Sequence, residues 1–108
     1  YFSKKVQQAL EAGIIDIIID PGFGFGKSMS HNYEILKNLE LLKNIEFPLM
    51  IGISRKSMIY KKLGINSDQA LNGSSVLNTV ALLKGTNILR VHDVLQAKEC
   101  VDLLQALR

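Results

Sequence analysis

Apolar positions along the chain change period several times, and each change marks an element. Phe2, Val6, Ala9 and Leu10 recur at helical spacing, with Ser3 placed to cap the start and Gly13 to stop it. The run Ile14-Ile15-Asp16-Ile17-Ile18-Ile19 is short, β-branched and apolar on both faces, and Asp20-Pro21-Gly22 ends it. That pattern predicts a buried parallel strand. Ile35, Leu36, Leu39 and Leu42 return to helical spacing after the polar stretch Ser28 to Asn32. Pro48 to Ile53 predicts a second strand, with proline at its mouth, where a missing N–H is tolerated. Helical segments are predicted at about 55–63, stopped by Gly64, and about 68–84, stopped by Gly85, with a bend at Gly73. Ile88 to Val91 predicts a third strand, and Ala97, Cys100, Val101, Leu104 and Leu107 a closing helix.

The resulting order, α-β-α-β-α-β-α, needs crossover connections and therefore a parallel sheet. Asp20, Ser54 and Arg90 fall at successive strand ends, each about 35 residues from the next. Eight such units would make about 250–300 residues, the size of a (β/α)8 barrel. Three strands cannot close one. The expected fold class is thus α/β, the C-terminal part of a (β/α)8 TIM barrel, with three parallel strands and four or five helices. Residues 1–108 would all belong to a single barrel domain.

Composition narrows the function classes. A hydrophobic content of 47% suits a packed globular chain rather than a disordered one. The net charge of +3 is small and dispersed, no Lys/Arg run exceeds two, and the few aromatics do not interleave with basic residues. Nucleic acid is therefore not an expected partner. The longest apolar runs are far below the ~20 residues that span a membrane, so no membrane partner is expected either. Tyr1-Phe2-Ser3-Lys4 leads straight into a helical pattern, which predicts no signal peptide, and the lack of Met at position 1 points to a start upstream. The single Cys100 cannot form an internal disulfide and reads as a small buried apolar residue, which suits a reducing cytosol.

The segment Pro21 to Ser28 invites two motif readings and satisfies neither. A phosphate-binding P-loop needs four residues between its first Gly and Gly-Lys-Ser, whereas Gly22 and Gly26 are separated by three. A dinucleotide fingerprint needs Gly-x-Gly-x-x-Gly, whereas here the glycines alternate as Gly22, Gly24 and Gly26. One residue matters, because it changes which backbone N–H groups converge on an anion. Glycines alternating with Phe23 and Phe25 suit a mobile loop that presents a ring to a flat ligand, or equally a turn whose phenylalanines cap the core.

Each strand end carries polar residues. Asp20 could accept paired hydrogen bonds from an amidine-like N–H/NH2 edge such as that of a pterin or guanine, or could simply shape the turn before Pro21-Gly22. Ser54-Arg55-Lys56-Ser57 sets two cations and two hydroxyls at a helix start, which suits an anion or carbonyl and equally suits a solvated basic loop with a serine cap. With period two, Arg90 and His92 share a face opposite Leu89 and Val91. That pair fits a phosphate or pyrophosphate, with a structural pair as the plainer alternative. Three such clusters at successive strand ends weigh more than any one, since barrel enzymes gather their chemistry on that face.

In order and spacing, Asp20-Pro21-Gly22-Phe23-Gly24-Phe25-Gly26-Lys27, Gly52-Ile53-Ser54-Arg55-Lys56-Ser57 and Arg90-Val91-His92-Asp93-Val94 resemble the last three strand-end motifs of the dihydropteroate synthase family. The resemblance covers essentially the whole chain and implies a cytoplasmic transferase of folate biosynthesis, the target of sulfonamides. Such an enzyme condenses 6-hydroxymethyl-7,8-dihydropterin diphosphate with 4-aminobenzoate to give 7,8-dihydropteroate and pyrophosphate. Carried over, the resemblance gives Asp20 the pterin ring N–H and amino group, and Lys56 the pterin carbonyl and a ring nitrogen. Arg90 would pack over the pterin and, with His92, hold the departing diphosphate. Phe25 and the stem of Lys56 would wall the aminobenzoate ring, and Ser57 would take its carboxylate. Lys56, Arg90 and His92 are thus the implied catalytic residues.

The resemblance also implies Mg2+, with ligands in N-terminal strands and loops absent here, no metal ligand in this chain, and a homodimer when intact. Without those strands the chain alone is expected to be inactive. The resemblance gives no ligand role to Arg55 and leaves the role of Lys27 open, a structural one among the alternatives. Two rivals stand beside it. A methyltetrahydrofolate methyltransferase-type barrel shares pterin recognition but has no need of a diphosphate-binding pair. A non-catalytic fragment would only self-associate through exposed apolar surface.

Overall fold

The computed structural model describes residues 21–24, 28–44 and 47–108. The helix expected near residues 2–10, the strand at 14–19, Asp20, Phe25 and Lys27 lie outside the described residues.

Ser28 caps the first described helix, α1 (Met29–Lys37), its hydroxyl accepting from the His31 N–H at 3.2 Å. The apolar pattern of α1 runs on to Leu42, but the helix does not. Asn38 takes the C-cap, its N–H and its side-chain amide both donating to the Glu34 carbonyl at 3.1 Å, and the chain continues as a 3-10 turn over Leu39–Asn44. Leu36 and Leu39 remain fully buried on either side of the break.

Two strands follow, β1 (Met50–Ile51) and β2 (Ile88–Leu89), paired in parallel with Met50 opposite Ile88 and Ile51 opposite Leu89. Both are shorter than the sequence suggests. Pro48 has no N–H to offer the ladder at one end. At the other, the last ladder bond runs from the Arg90 N–H to the Ile51 carbonyl at 2.9 Å, and the His92 N–H then turns to the Ser54 hydroxyl instead of a main-chain carbonyl. Below the ladder, the Asn87 side chain accepts from the Leu49 N–H at 2.9 Å and extends the pairing by one residue.

The crossover between the strands holds α2 (Ser57–Leu63), a 3-10 turn (Ser67–Gln69) and α3 (Leu71–Leu83), and α4 (Val94–Ala106) closes the chain. Helix α2 starts two residues later than expected because Arg55 has φ of 54°, which no right-handed helix accepts. It stops at Gly64, as expected. The single segment expected at 68–84 divides at Ala70, where the turn capped by Asn66 and Gln69 ends. Gly73 is therefore not where the segment divides. It lies in the first turn of α3, where a Cβ would run into Ile59 of α2, so the missing side chain is what lets the two helices touch.

The core lies beneath β1. Leu49, Ile51, Ile53, Met58 and Ile59 are each no more than 3% exposed and pack with Phe23, Leu36 and Leu39. Burial of each such side chain stabilises the fold by about 1.5–3 kcal/mol relative to exposure. Leu107, placed by the sequence in the closing helix pattern, instead forms its C-cap and is 83% exposed. Cys100 is half-buried rather than fully enclosed, with its Sγ 3.8 Å from the Ser75 carbonyl. Among the described residues, no helix is long and apolar enough to cross a membrane.

Candidate functional site

Parallel pairing sends the chain out of β1 and β2 at the same end, so Ser54 to Ser57 and Arg90 to Asp93 emerge side by side. Their contact is direct. The Ser54 hydroxyl is 3% exposed and accepts from the His92 N–H at 3.2 Å, while His92 Nδ1 stands 3.0 Å from the same oxygen. With Nδ1 engaged there, Nε2 is the ring nitrogen left for a ligand. Arg90 lies over β1, because a Cβ added at Gly52 would sit 2.5 Å from its Nη2 and 3.0 Å from its Cζ. Any residue larger than glycine at position 52 would have to move that guanidinium. Arg90 and His92 are both exposed, whereas Leu89 and Val91 are half-buried, as the period-two reading requires.

Lys56 occupies the N-cap of α2 with extended φ and ψ, and no side chain caps the helix. Its Nζ donates to the Phe23 carbonyl at 2.6 Å, so the ammonium reaches the loop that follows Asp20. That loop is fixed from below by Asn32, which is 2% exposed and accepts from the Gly24 N–H at 3.0 Å. Phe23, 1% exposed, caps the core. Of the two readings the sequence left open for the phenylalanines, Phe23 follows the core-capping one.

Between these elements lies a cleft of about 370 Å³, lined by Phe23 and Gly24, by Arg55, Lys56, Ser57 and Tyr60, and by Ser67. It takes in Lys56 and Ser57 but not Arg90 or His92, which flank it on the next strand end. The described part of the site thus has two halves. One is an apolar-walled cleft with an ammonium and a hydroxyl at its mouth, and the other an Arg–His pair able to hold an anion.

Arg55, which the sequence left without a role, is fully engaged within the protein. Its Nε and Nη2 donate to the two Asp93 carboxylate oxygens at 2.8 and 3.0 Å, and Nη1 donates to the Ser67 and Asp68 carbonyls at 2.8 and 2.9 Å. Its own N–H donates to the Ser74 hydroxyl at 2.9 Å. The bidentate bond to Asp93 raises the Arg55 pKa above its ordinary value, and the same bond holds the Asp93 carboxyl below the usual carboxylate range. Sequence reasoning missed Ser54, Asn32 and Asp93 as fixing residues. For Ser54 and Asp93 the readable signal was their place in the strand-end motifs, while Asn32 carries no such signal.

Among the described residues, no group of three or more His, Cys, Asp or Glu side chains could hold a metal ion. At these strand ends the Asp93 carboxylate is already paired with Arg55, which leaves the charges of Lys56 and Arg90, a set that suits an anion and opposes a cation.

A family profile described as pterin binding enzyme matches residues 1–92. Dihydropteroate synthase of Escherichia coli strain K12 is 47% identical over 38 residues, a stretch covering 33% of this chain and 14% of that protein. In structure, the chain is similar to Yersinia pestis dihydropteroate synthase, with a TM-score of 0.94 and 38% identity over 99% of this chain and 51% of that one. The 7,8-dihydropteroate synthase of Vibrio fischeri ES114 gives 0.91 and 42% over 98% and 40%. That of Thermus thermophilus in complex with 4-aminobenzoate gives 0.92 and 36% over 97% and 41%. The chain thus spans about half, or less, of the length of the solved structures it matches.

Proposed function

Given that the chain belongs to the pterin-binding enzyme family, we propose that its strand-end residues serve a dihydropteroate synthase, within a protein that supplies the rest of a (β/α)8 barrel. The observation that carries the reading is the contact of the two strand ends. Ser54 joins the strand end carrying Arg90 and His92 to the one carrying Lys56 and Ser57, so that pair stands beside a cleft of about 370 Å³, and this supports reading the pair as the diphosphate holder and the cleft as the ring site.

In this reading the pterin carbonyl and a ring nitrogen meet Lys56, and Asp20 takes the pterin N–H and amino group. The diphosphate lies against Arg90 and His92. The amine nitrogen of 4-aminobenzoate, its ring walled by Phe25 and the stem of Lys56 and its carboxylate at Ser57, attacks the pterin methylene carbon. The C–O bond to diphosphate breaks, pyrophosphate leaves, and the amine gives up a proton. Negative charge grows on the leaving oxygen, so fixed cations at Arg90 and Lys56 stabilise the transition state more than the ground state. No nucleophilic side chain is required.

The described residues do not fit the magnesium ion that the resemblance implies. Its ligands would belong to segments outside this chain. The synthase is taken as cytoplasmic, acting on small molecules rather than on nucleic acid or membranes. We also read it as a homodimer, for which exposed Val76 and Leu83 on α3 and Leu95 and Leu103 on α4 offer apolar surface.

The test is to supply the complete protein with the pterin diphosphate and 4-aminobenzoate, and separately with methyltetrahydrofolate and a corrinoid acceptor. Condensation alone is the expected result. Methyl transfer without condensation would favour the methyltransferase-type barrel, which has no use for Arg90 beside His92. The 108-residue chain by itself should be inactive and should associate in light scattering, because its strands lack the neighbours that fill a barrel. An active monomer of 12.0 kDa would refute that requirement.

A further inference from the structure

The parallel ladder of β1 and β2 does not end where its main-chain bonds end. Met50 faces Ile88 and Ile51 faces Leu89, and the Arg90 guanidinium lies over Gly52. Past Gly52 the bonds come from side chains and keep the same register. Ser54 meets His92 and Arg55 meets Asp93, each pair again 38 positions apart. The residues that follow Ser54 and Arg55 are Lys56 and Ser57, and Asp93 begins α4 as its N-cap. The guanidinium also ties this junction to the 3-10 turn through the Ser67 and Asp68 carbonyls.

We infer that Arg55 and Asp93 are a positioning pair, which locks the strand end carrying Lys56 and Ser57 to the one carrying Arg90 and His92, with the Arg55 nitrogens spent on protein acceptors rather than on substrate. The inference rests on the synthase reading above. Three observations support it. All the guanidinium nitrogens of Arg55 are committed to protein acceptors, so it has little left to offer an anion. Its φ of 54° is disfavoured for a residue with a Cβ and is held by bonds from both the backbone and the side chain. A rigid link between the halves matters for this chemistry, since the ring at Lys56 and the leaving group at Arg90 and His92 belong to one substrate. An error of about 1 Å in their separation can cost on the order of 100-fold in rate.

The test uses the complete protein with Asp93→Asn, Arg55→Lys and the double variant, each first shown to be folded by thermal melting. Removing the Asp93 charge beside an anion site would, by electrostatics alone, leave pyrophosphate affinity unchanged or raise it. Loss of positioning does the opposite. Asp93→Asn and Arg55→Lys should each lower pyrophosphate affinity and kcat/KM by about tenfold or more, and the double variant should be no worse than the poorer single one. Pyrophosphate binding that is unchanged or tighter in Asp93→Asn, or effects that multiply in the double variant, would overturn the pair. Amide exchange gives a second measurement that does not depend on turnover. Exchange at the His92 N–H, held by Ser54, should quicken in Asp93→Asn and Arg55→Lys, and an unchanged rate would also overturn it. A complete parental protein that makes no dihydropteroate would instead count against the synthase reading, and the exchange measurement would still decide the link between the loops.

Discussion

Arg55 and Asp93 are joined through both carboxylate oxygens at the register that pairs Met50 with Ile88, so the sheet continues as side chains where its backbone has stopped. A strand end held in this way can carry loops and still be rigid. The two residues are also only partly shielded, with side chains 22% and 24% exposed, so solvent weakens the bond in proportion.

That exposure does not remove its pH signature. The Asp93 carboxyl is held below the usual carboxylate range chiefly by the hydrogen bonds from Arg55. Its folded-state pKa therefore lies below the unfolded value, and its contribution is complete above about pH 4 and is lost as the pH falls through the folded value. Denaturant titrations from about pH 6 down to about pH 2 should show Asp93→Asn losing less stability on acidification than the parental protein. Parallel acid limbs would contradict the assignment.

Gly52→Ala tests the close approach of Arg90. A Cβ there would stand 2.5 Å from Nη2, so the guanidinium must shift. Turnover of the complete protein should fall on the order of 100-fold for a displacement of about 1 Å, while the melting temperature stays near parental if the flexible side chain alone gives way. Unchanged turnover would mean that Arg90 is not held over β1 during the reaction.

Lys56→Ala and Ser57→Ala should separate the two substrates. Lys56 is assigned to the pterin, and loss of a hydrogen bond to a charged group costs about 1.5–3 kcal/mol, so pterin binding and turnover should weaken together. Ser57→Ala should mainly raise KM for 4-aminobenzoate. Equal effects of both substitutions on both substrates would count against these roles.

Much of this was legible in the sequence, and what was missed has a common cause. Apolar runs at Leu49 to Ile53 and turn residues at Gly64 located β1 and the end of α2, because burial and chain reversal leave local marks. The break at Asn38, the division at Ala70 and the late start of α2 depend on hydrogen bonds that a hydrophobic pattern does not record. The site divides in the same way. Lys56, Ser57, Arg90 and His92 stood out as strand-end residues, and the structure brings them to one end. Ser54 and Asp93 act through partners 38 residues away, a register fixed only when β1 and β2 pair.

Asn32→Ala addresses one of these unread partners. The substitution removes the acceptor for the N–H of exposed Gly24, and loss of such a bond costs about 0.5–1.5 kcal/mol. Urea denaturation should show a decrease of that size, with faster amide exchange at Gly24. No change in either would mean that the loop is held by other contacts.

The division of one substrate between two strand ends is the centre of the account, and a crystal structure of the complete protein with the pterin diphosphate bound measures it most directly. The expected result places Lys56 Nζ within hydrogen-bond distance of the pterin, and the Arg90 guanidinium and His92 Nε2 on the diphosphate. A diphosphate held away from Arg90 and His92, or a pterin ring out of reach of Lys56, would contradict it.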